Sequence, residues 1–305
     1  MNARSVAKAL GGDVVGPARV LAPGPGHSRA DRSMAVLLDP NARDGFVVSS
    51  FAGDDWRLCR DHVREMLGLD QRDRYGSTHA IPRSTRLEPV DDRSVQGHTP
   101  IALRLWHQTL PIGRSPAERY LRSRGLDLRR IPFDEQSLRF HPNCPFRLAD
   151  GSVVRLPALV AAMVDVQSGA FRGVHRTALA PGGNGKADIP GLGKPKKMLG
   201  PASGACVKLS PDEDVTTGLH IAEGIETALA CLAMGFAPVW AALSSGGIAE
   251  FPVLGGVEAL TIFADHDVNG AGLNAARRCA ARWTDTRREV TIASPPEPGR
   301  DWADR

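Results

Sequence analysis

At 305 residues, with 42% hydrophobic and 24% charged residues, the chain is long enough for two packed domains and too apolar for a disordered tail. A formal net charge of +4 permits nucleic-acid binding without requiring it, because whole-chain charge does not say where the charge sits. The five cysteines (Cys59, Cys144, Cys206, Cys231, Cys279) are odd in number and never form a CxxC pair, and no run reaches the roughly 18 apolar residues of a membrane span; a cytoplasmic protein with reduced thiols and no membrane partner is expected.

Residues 1–70 read as a compact module. A short helix is followed by a Gly/Pro turn at 22–26, strand-like runs at 34–38 and 45–51, and a helix over DDWRLCRDHVREMLG, with Asp54 or Asp55 as N-cap and Gly68 as stop. Residues 71–100, rich in Arg, Asp, Ser, Thr and Pro, have the composition of a linker. In the next lobe, 101–210, Ser115-Pro116-Ala117-Glu118 supplies a Ser N-cap, a Pro at the first helical position and a Glu placed for a capping box. Runs at 158–166 and 171–177, separated by Gln167-Ser168-Gly169, read as a hairpin, and 180–204 is rich in Gly, Pro and Lys.

From residue 211 strands alternate with helices. Strands are predicted at 219–222, 238–243, 259–264 and 289–293, and helices at 225–234 and 271–283, a pattern that implies a parallel sheet. Two of these strands end on acids, Glu223 after the first and Asp265 and Asp267 after the third. Ligands of a parallel sheet gather beyond the carboxyl ends of its strands, and two like charges two residues apart are best accommodated by a cation between them. Each acid alone also fits a second reading, as the cap of the helix that follows it.

Glu223-Gly224 followed by an apolar strand ending in Asp265-x-Asp267-x-x-Gly270 resembles the Toprim domain of primases, topoisomerases and some nucleases. The resemblance implies that Glu223, Asp265 and Asp267 are catalytic acids that hold Mg²⁺, or Mn²⁺ in its place. Gly299-Arg300-Asp301-Trp302-Ala303-Asp304 is similar to a further run of primase-type Toprim domains and implies a fourth metal ligand, Asp301. Where such primases carry another acid, residue 227 is Thr, with Glu226 one position earlier, and whether Glu226 replaces it is open.

The first 70 residues are similar to a primase zinc ribbon that has lost its ligands: Ala22, Ser49 and Ser50 stand where Cys is expected and His27 alone remains, so no zinc is expected. Packing of Val36, Leu38, Phe46, Val48 and Phe51 is then expected to hold the hairpin. LWHQTLPIGRSPAERYLRSRGL and PALVAAMVDVQSGAFRGVHRTAL resemble the lobe that precedes the Toprim domain in primases. Arg172, Arg176, Lys186, Lys194, Lys196 and Lys197 are the expected nucleic-acid and nucleotide contacts, although a lysine-rich loop also reads as a solvated surface.

The fold expected is therefore α/β, a C-terminal Toprim domain with a Rossmann-like parallel sheet, preceded by a basic α+β lobe and a small degenerate zinc-ribbon-like module. The resemblance implies a DNA primase that makes short RNA primers on a single-stranded DNA template from nucleoside triphosphates, with a separate helicase as partner. A Toprim nuclease using the same acids and a non-catalytic single-stranded-DNA or replication-partner binding protein are the alternatives. Ser244 and Ser245 read as a helix start.

Overall fold

The computed structural model describes residues 2–39, 44–69, 99–267, 270–295 and 302. At the amino end, α1 (Ala3–Leu10) is capped by the Asn2 side chain, which accepts the Ser5 amide at 2.9 Å, and ends on Gly11 in the left-handed region. Its buried residues Ala3, Val6, Ala7 and Leu10 form one helical face. That face lies against an antiparallel sheet ordered β1 (Asp13–Gly16), β2 (Arg19–Ala22), β3 (Met34–Leu38) and β4 (Phe46–Ser50). β1 and β2 were not expected: Val14 and Val15 are both exposed, so β1 lacks the alternation that marks a half-buried strand.

In α2 (Trp56–Met66), Asp55 is the N-cap, and Cys59 and Val63, one turn apart, fill the module's core. Val36, Phe46 and Val48 join that core and Leu38 packs on its edge. Phe51 does not: it is 48% exposed, and its ring rests instead where a Cβ on Gly235 would stand. The module is docked on the carboxyl-terminal region through Arg60 Nη1 to Glu289 Oε2 at 2.5 Å, an Arg57–Glu258 ion pair, and the Ser294 amide donated to Asp39 Oδ2 at 3.1 Å.

A second, mixed sheet carries the other ten strands. These are β5 (Leu110–Pro111), β6 (Leu138–Arg147), β7 (Val153–Asp165), β8 (Phe171–Ala178), β9 (Lys196–Leu199), β10 (Ala205–Lys208), β11 (Gly218–Ala222), β12 (Val239–Ala241), β13 (Ala259–Phe263) and β14 (Glu289–Ala293). The main path is β14-β13-β11-β12-β10-β7-β6-β5, with β8 on β7 and β9 on β8. The expected parallel sheet is present as β14-β13-β11-β12. It continues into the antiparallel half through β10, which pairs Val207 and Lys208 with β12 and Ala205 and Cys206 with β7. β6 escaped prediction because it contains Pro142 and Pro145; the register shift between His141 and Cys144 absorbs the break in the ladder.

Helices cover both faces: α3 (Thr99–His107), α4 (Pro116–Ser123), α5 (Ile225–Ala233), α6 (Ser245–Ala249) and α7 (Ala271–Asp285). One core runs under both α4 and α5, joining Tyr120 and Leu121 to Leu159, Ala222, Leu229 and Phe263. α6 and α7 pack on the opposite face of the parallel strands through Ile248, Ala276 and Trp283. Ser115 caps α4 as expected, accepting the Ala117 and Glu118 amides at 3.1 and 3.3 Å. Glu118, however, takes the Arg114 amide rather than that of Ser115, so the box is displaced by one residue.

Candidate active site

Ala222 is in register with Phe263 across two parallel strands, so Glu223 and Asp265 leave neighbouring strands at the same edge. Neighbouring strands lie about 4.8 Å apart, which puts both acids at one mouth. They line a common cavity of about 150 Å³ with Lys186, Lys196, His175 and Arg124.

Two glycines, Gly270 and Gly272, set this edge. Gly224 has φ −99°, open to any residue, and a Cβ there would make only ordinary contacts. Gly270, at φ +68°, does need its freedom, and a Cβ on Gly272 would come within 2.5 Å of the Asp265 carbonyl oxygen. The start of α7 therefore presses directly on the backbone that carries Asp265.

Glu223 Oε2 is buried with no hydrogen-bond partner among the described residues. Burial and the nearby Asp267 charge raise its pKa above the usual carboxylate value. Asp265 Oδ1 lies 3.4 Å from the Thr227 hydroxyl. Asp267 is exposed, accepts the Gly272 amide at 3.2 Å and the Gly270 amide on its carbonyl at 2.9 Å, and does not line the cavity. It thus caps α7, the second reading of these acids, and acts on Glu223 through its charge. Among the described residues no group of three His, Cys, Asp or Glu side chains stands close enough to hold a metal ion by itself. Asp301 lies outside the described residues. Its neighbour Trp302 packs edge-on against Phe263, the last residue of β13, at 5.2 Å.

The expected basic residues divide between two faces of the sheet. β8 and β9 pair Thr177 with Lys196 and Arg176 with Lys197, and successive side chains of a strand alternate. Lys196 reaches the cavity together with Lys186 and His175. Arg176 points away, donating to the Pro145 carbonyl at 2.7 Å above the Phe146 ring. Arg172 is engaged by Asp165 at 3.3 Å and the Ser203 carbonyl at 3.1 Å. Lys194 is exposed, and neither it nor Lys197 lines the cavity. Arg124 is a lining residue that sequence reasoning missed; it is one Arg among several in the stretch around α4 and nothing local distinguishes it.

Glu226 is 5% exposed. Oε1 accepts the Tyr120 hydroxyl at 2.8 Å, with Lys186 Nζ at 3.8 Å, and Oε2 accepts Lys196 Nζ at 2.8 Å. Burial alone would raise its pKa, but the two ammonium groups prevail and bring it down to about 2. The His175 pKa is lowered as well, by burial and by Lys196, to about 4, so it stands neutral at pH 7.

Residues 218–305 match the family model described as "Toprim domain". The carboxyl-terminal region is a Toprim domain. Residues 96–209 match a domain of unknown function, DUF7146. No curated protein matches the chain significantly. Among solved structures, it is similar to the DnaG catalytic core (15% identity over 67% of this chain and 72% of that one, TM-score 0.47). It is also similar to a DNA primase domain from Pseudomonas aeruginosa (16%, 68% and 73%, TM-score 0.44). The zinc-binding and RNA polymerase domains of the Aquifex aeolicus primase align over 98% of this chain and 78% of that one, at 13% identity and TM-score 0.42. No helix among the described residues is long and apolar enough to cross a membrane.

Within the Toprim domain, Ser244 is the N-cap of α6, accepting the Gly247 amide at 3.0 Å, as a helix start requires. At the amino end, His27 lies between Asp31, at 2.9 Å, and Asp54, at 3.1 Å, and both carboxylates raise its pKa.

Proposed function

We propose that the chain is a primase-like nucleotidyltransferase that makes short RNA primers on single-stranded DNA with Mg²⁺, or Mn²⁺ in its place. The observation that carries this reading is the buried Oε2 of Glu223, without a partner among the described residues, opening beside Asp265 into a cavity whose other wall is cationic. A buried carboxylate oxygen without a donor is costly unless a cation completes it, and hard oxygen donors suit Mg²⁺.

In this reading Glu223 and Asp265 at the cavity, with Asp267 and Asp301 beside them, would hold the metal, which would supply charge neutralisation at the reacting α-phosphate. Lys186, Lys196 and Arg124 offset the charge of a bound triphosphate that the acids would repel. His175 stays neutral and adds no charge to the cavity. Of the residues outside the cavity, exposed Lys194 is proposed to meet the template strand, where phosphate contacts give salt-dependent, weakly sequence-selective binding, while Arg172 and Arg176 are already engaged within the lobe. No zinc is part of the proposal, and a separate replicative helicase remains its expected partner.

Labelled nucleotides offered with single-stranded DNA, with and without Mg²⁺, test the reading. Metal-dependent extension is expected. Cleavage of the DNA would move the assignment to a Toprim nuclease, and binding without either reaction would make the chain a non-catalytic DNA-binding protein.

A further inference from the structure

Glu226 lies in the first turn of α5 in the Toprim domain, whereas every side-chain partner of its carboxylate among the described residues comes from the region before it: Tyr120 from α4, Lys186 from the segment after β8, and Lys196 from β9. Tyr120 is itself 1% exposed. The segment carrying Lys186 is anchored to α4 as well, since Arg119 Nε donates to the Gly182 carbonyl at 2.8 Å and a Cβ on Gly183 would collide with Pro116. We propose that Glu226 is a positioning residue that clamps the central lobe onto the Toprim domain and holds Lys186 and Lys196 over the cavity, and that it does not replace the acid absent at residue 227.

Two features carry the inference. Both oxygens of Glu226 are already taken by donors, and an ion brought to them would meet the two ammonium groups that stand within 4 Å of those oxygens, a repulsion that a low-polarity site enlarges. Thr227, by contrast, lies 3.4 Å from Asp265 Oδ1, while Glu226, although it lines the same cavity, is held by the lysines and Tyr120. The two lysines are each more than a third exposed, so without the carboxylate their flexible stems would carry the ammonium groups out to water. A buried anion at the root of the pair is what keeps them at the cavity.

The inference rests on the metal-site reading only for its statement about metal, and the test separates the two. Wild-type, Glu226→Gln and Glu223→Gln full-length proteins are titrated with Mn²⁺ followed by electron paramagnetic resonance, and each is pulsed with an amine-reactive ester whose incorporation is read lysine by lysine by mass spectrometry. Glu226→Gln is expected to lose less than about tenfold in Mn²⁺ affinity, short of one charged contact, while Lys186 and Lys196 label on the order of tenfold faster, with Lys194 and Lys197 unchanged. A larger loss of Mn²⁺ affinity, matching Glu223→Gln, would make Glu226 a ligand and overturn the proposal. Unchanged labelling of Lys186 and Lys196 overturns the clamp, as does equal acceleration of all four lysines, which would report general loosening. If Glu226→Gln does not fold, Glu226→Asp, which keeps the charge but withdraws it by one methylene, must give the same selective acceleration. Should Glu223→Gln bind Mn²⁺ as well as wild type, the metal reading fails while the labelling still decides the clamp.

Discussion

Asp39 accepts the backbone amide of Ser294 at 3.1 Å, joining the residue after β3 to the residue after β14, the edge strand of the Toprim sheet, with both residues buried. Asp39→Ala leaves that amide without its acceptor in a dry contact, at a cost of about 1–3 kcal/mol. Urea unfolding of the full chain should show the loss, and an unchanged midpoint would mean that the contact contributes nothing to docking.

His220 stands on β11 between the rings of Phe236 and Phe263, and neither ring nitrogen has a hydrogen-bond partner among the described residues. Burial lowers its pKa to about 3. The unfolded chain therefore takes up a proton near pH 6.5 that the folded chain refuses, and stability falls as the pH drops from about 6.5 towards 3, with a limiting slope of about 1.4 kcal/mol per pH unit. His220→Phe should stabilise the protein and flatten this dependence. Stability curves of equal slope for the two proteins would count against it.

Glu223 has its pKa raised, so it costs stability once the pH passes its ordinary value and the cost grows up to the raised one. At pH 7 Glu223→Gln should melt at a higher temperature than wild type. Added Mg²⁺ should raise the wild-type melting temperature and leave the variant unmoved, since a ligand that binds only the folded state stabilises it. Equal responses to Mg²⁺ would remove Glu223 from the metal site.

Lys196→Met strands the Glu226 carboxylate with the more distant Lys186 and the Tyr120 hydroxyl. Breaking a buried pair costs about 3–5 kcal/mol, and the exposure of Lys196 reduces this to roughly 1–3 kcal/mol at pH 7. Glu226 is depressed to about 2, so its contribution is full above pH 4.5 and fades as the pH falls through 2. Denaturation at pH 7 and at pH 3 should therefore show a larger gap between wild type and variant at the higher pH.

Local signals placed much of this protein. The capped starts of α2 and α4 and the parallel strands β11, β12, β13 and β14 follow from cap chemistry and apolar runs that span only a few residues. Glu223 and Asp265 were legible for the same reason, as acids closing such runs. The sequence by itself could not divide the lysines, because Lys196 and Lys197 are adjacent in the chain and only the pairing of β9 with β8 sends one to the cavity and its neighbour to the opposite face. Nor could it assign Glu226, since Tyr120 stands 106 positions away and meets it only when α4 and α5 share a core. Pairing register and helix packing are long-range choices, decided by which apolar faces bury one another, and they fixed what each charged side chain touches.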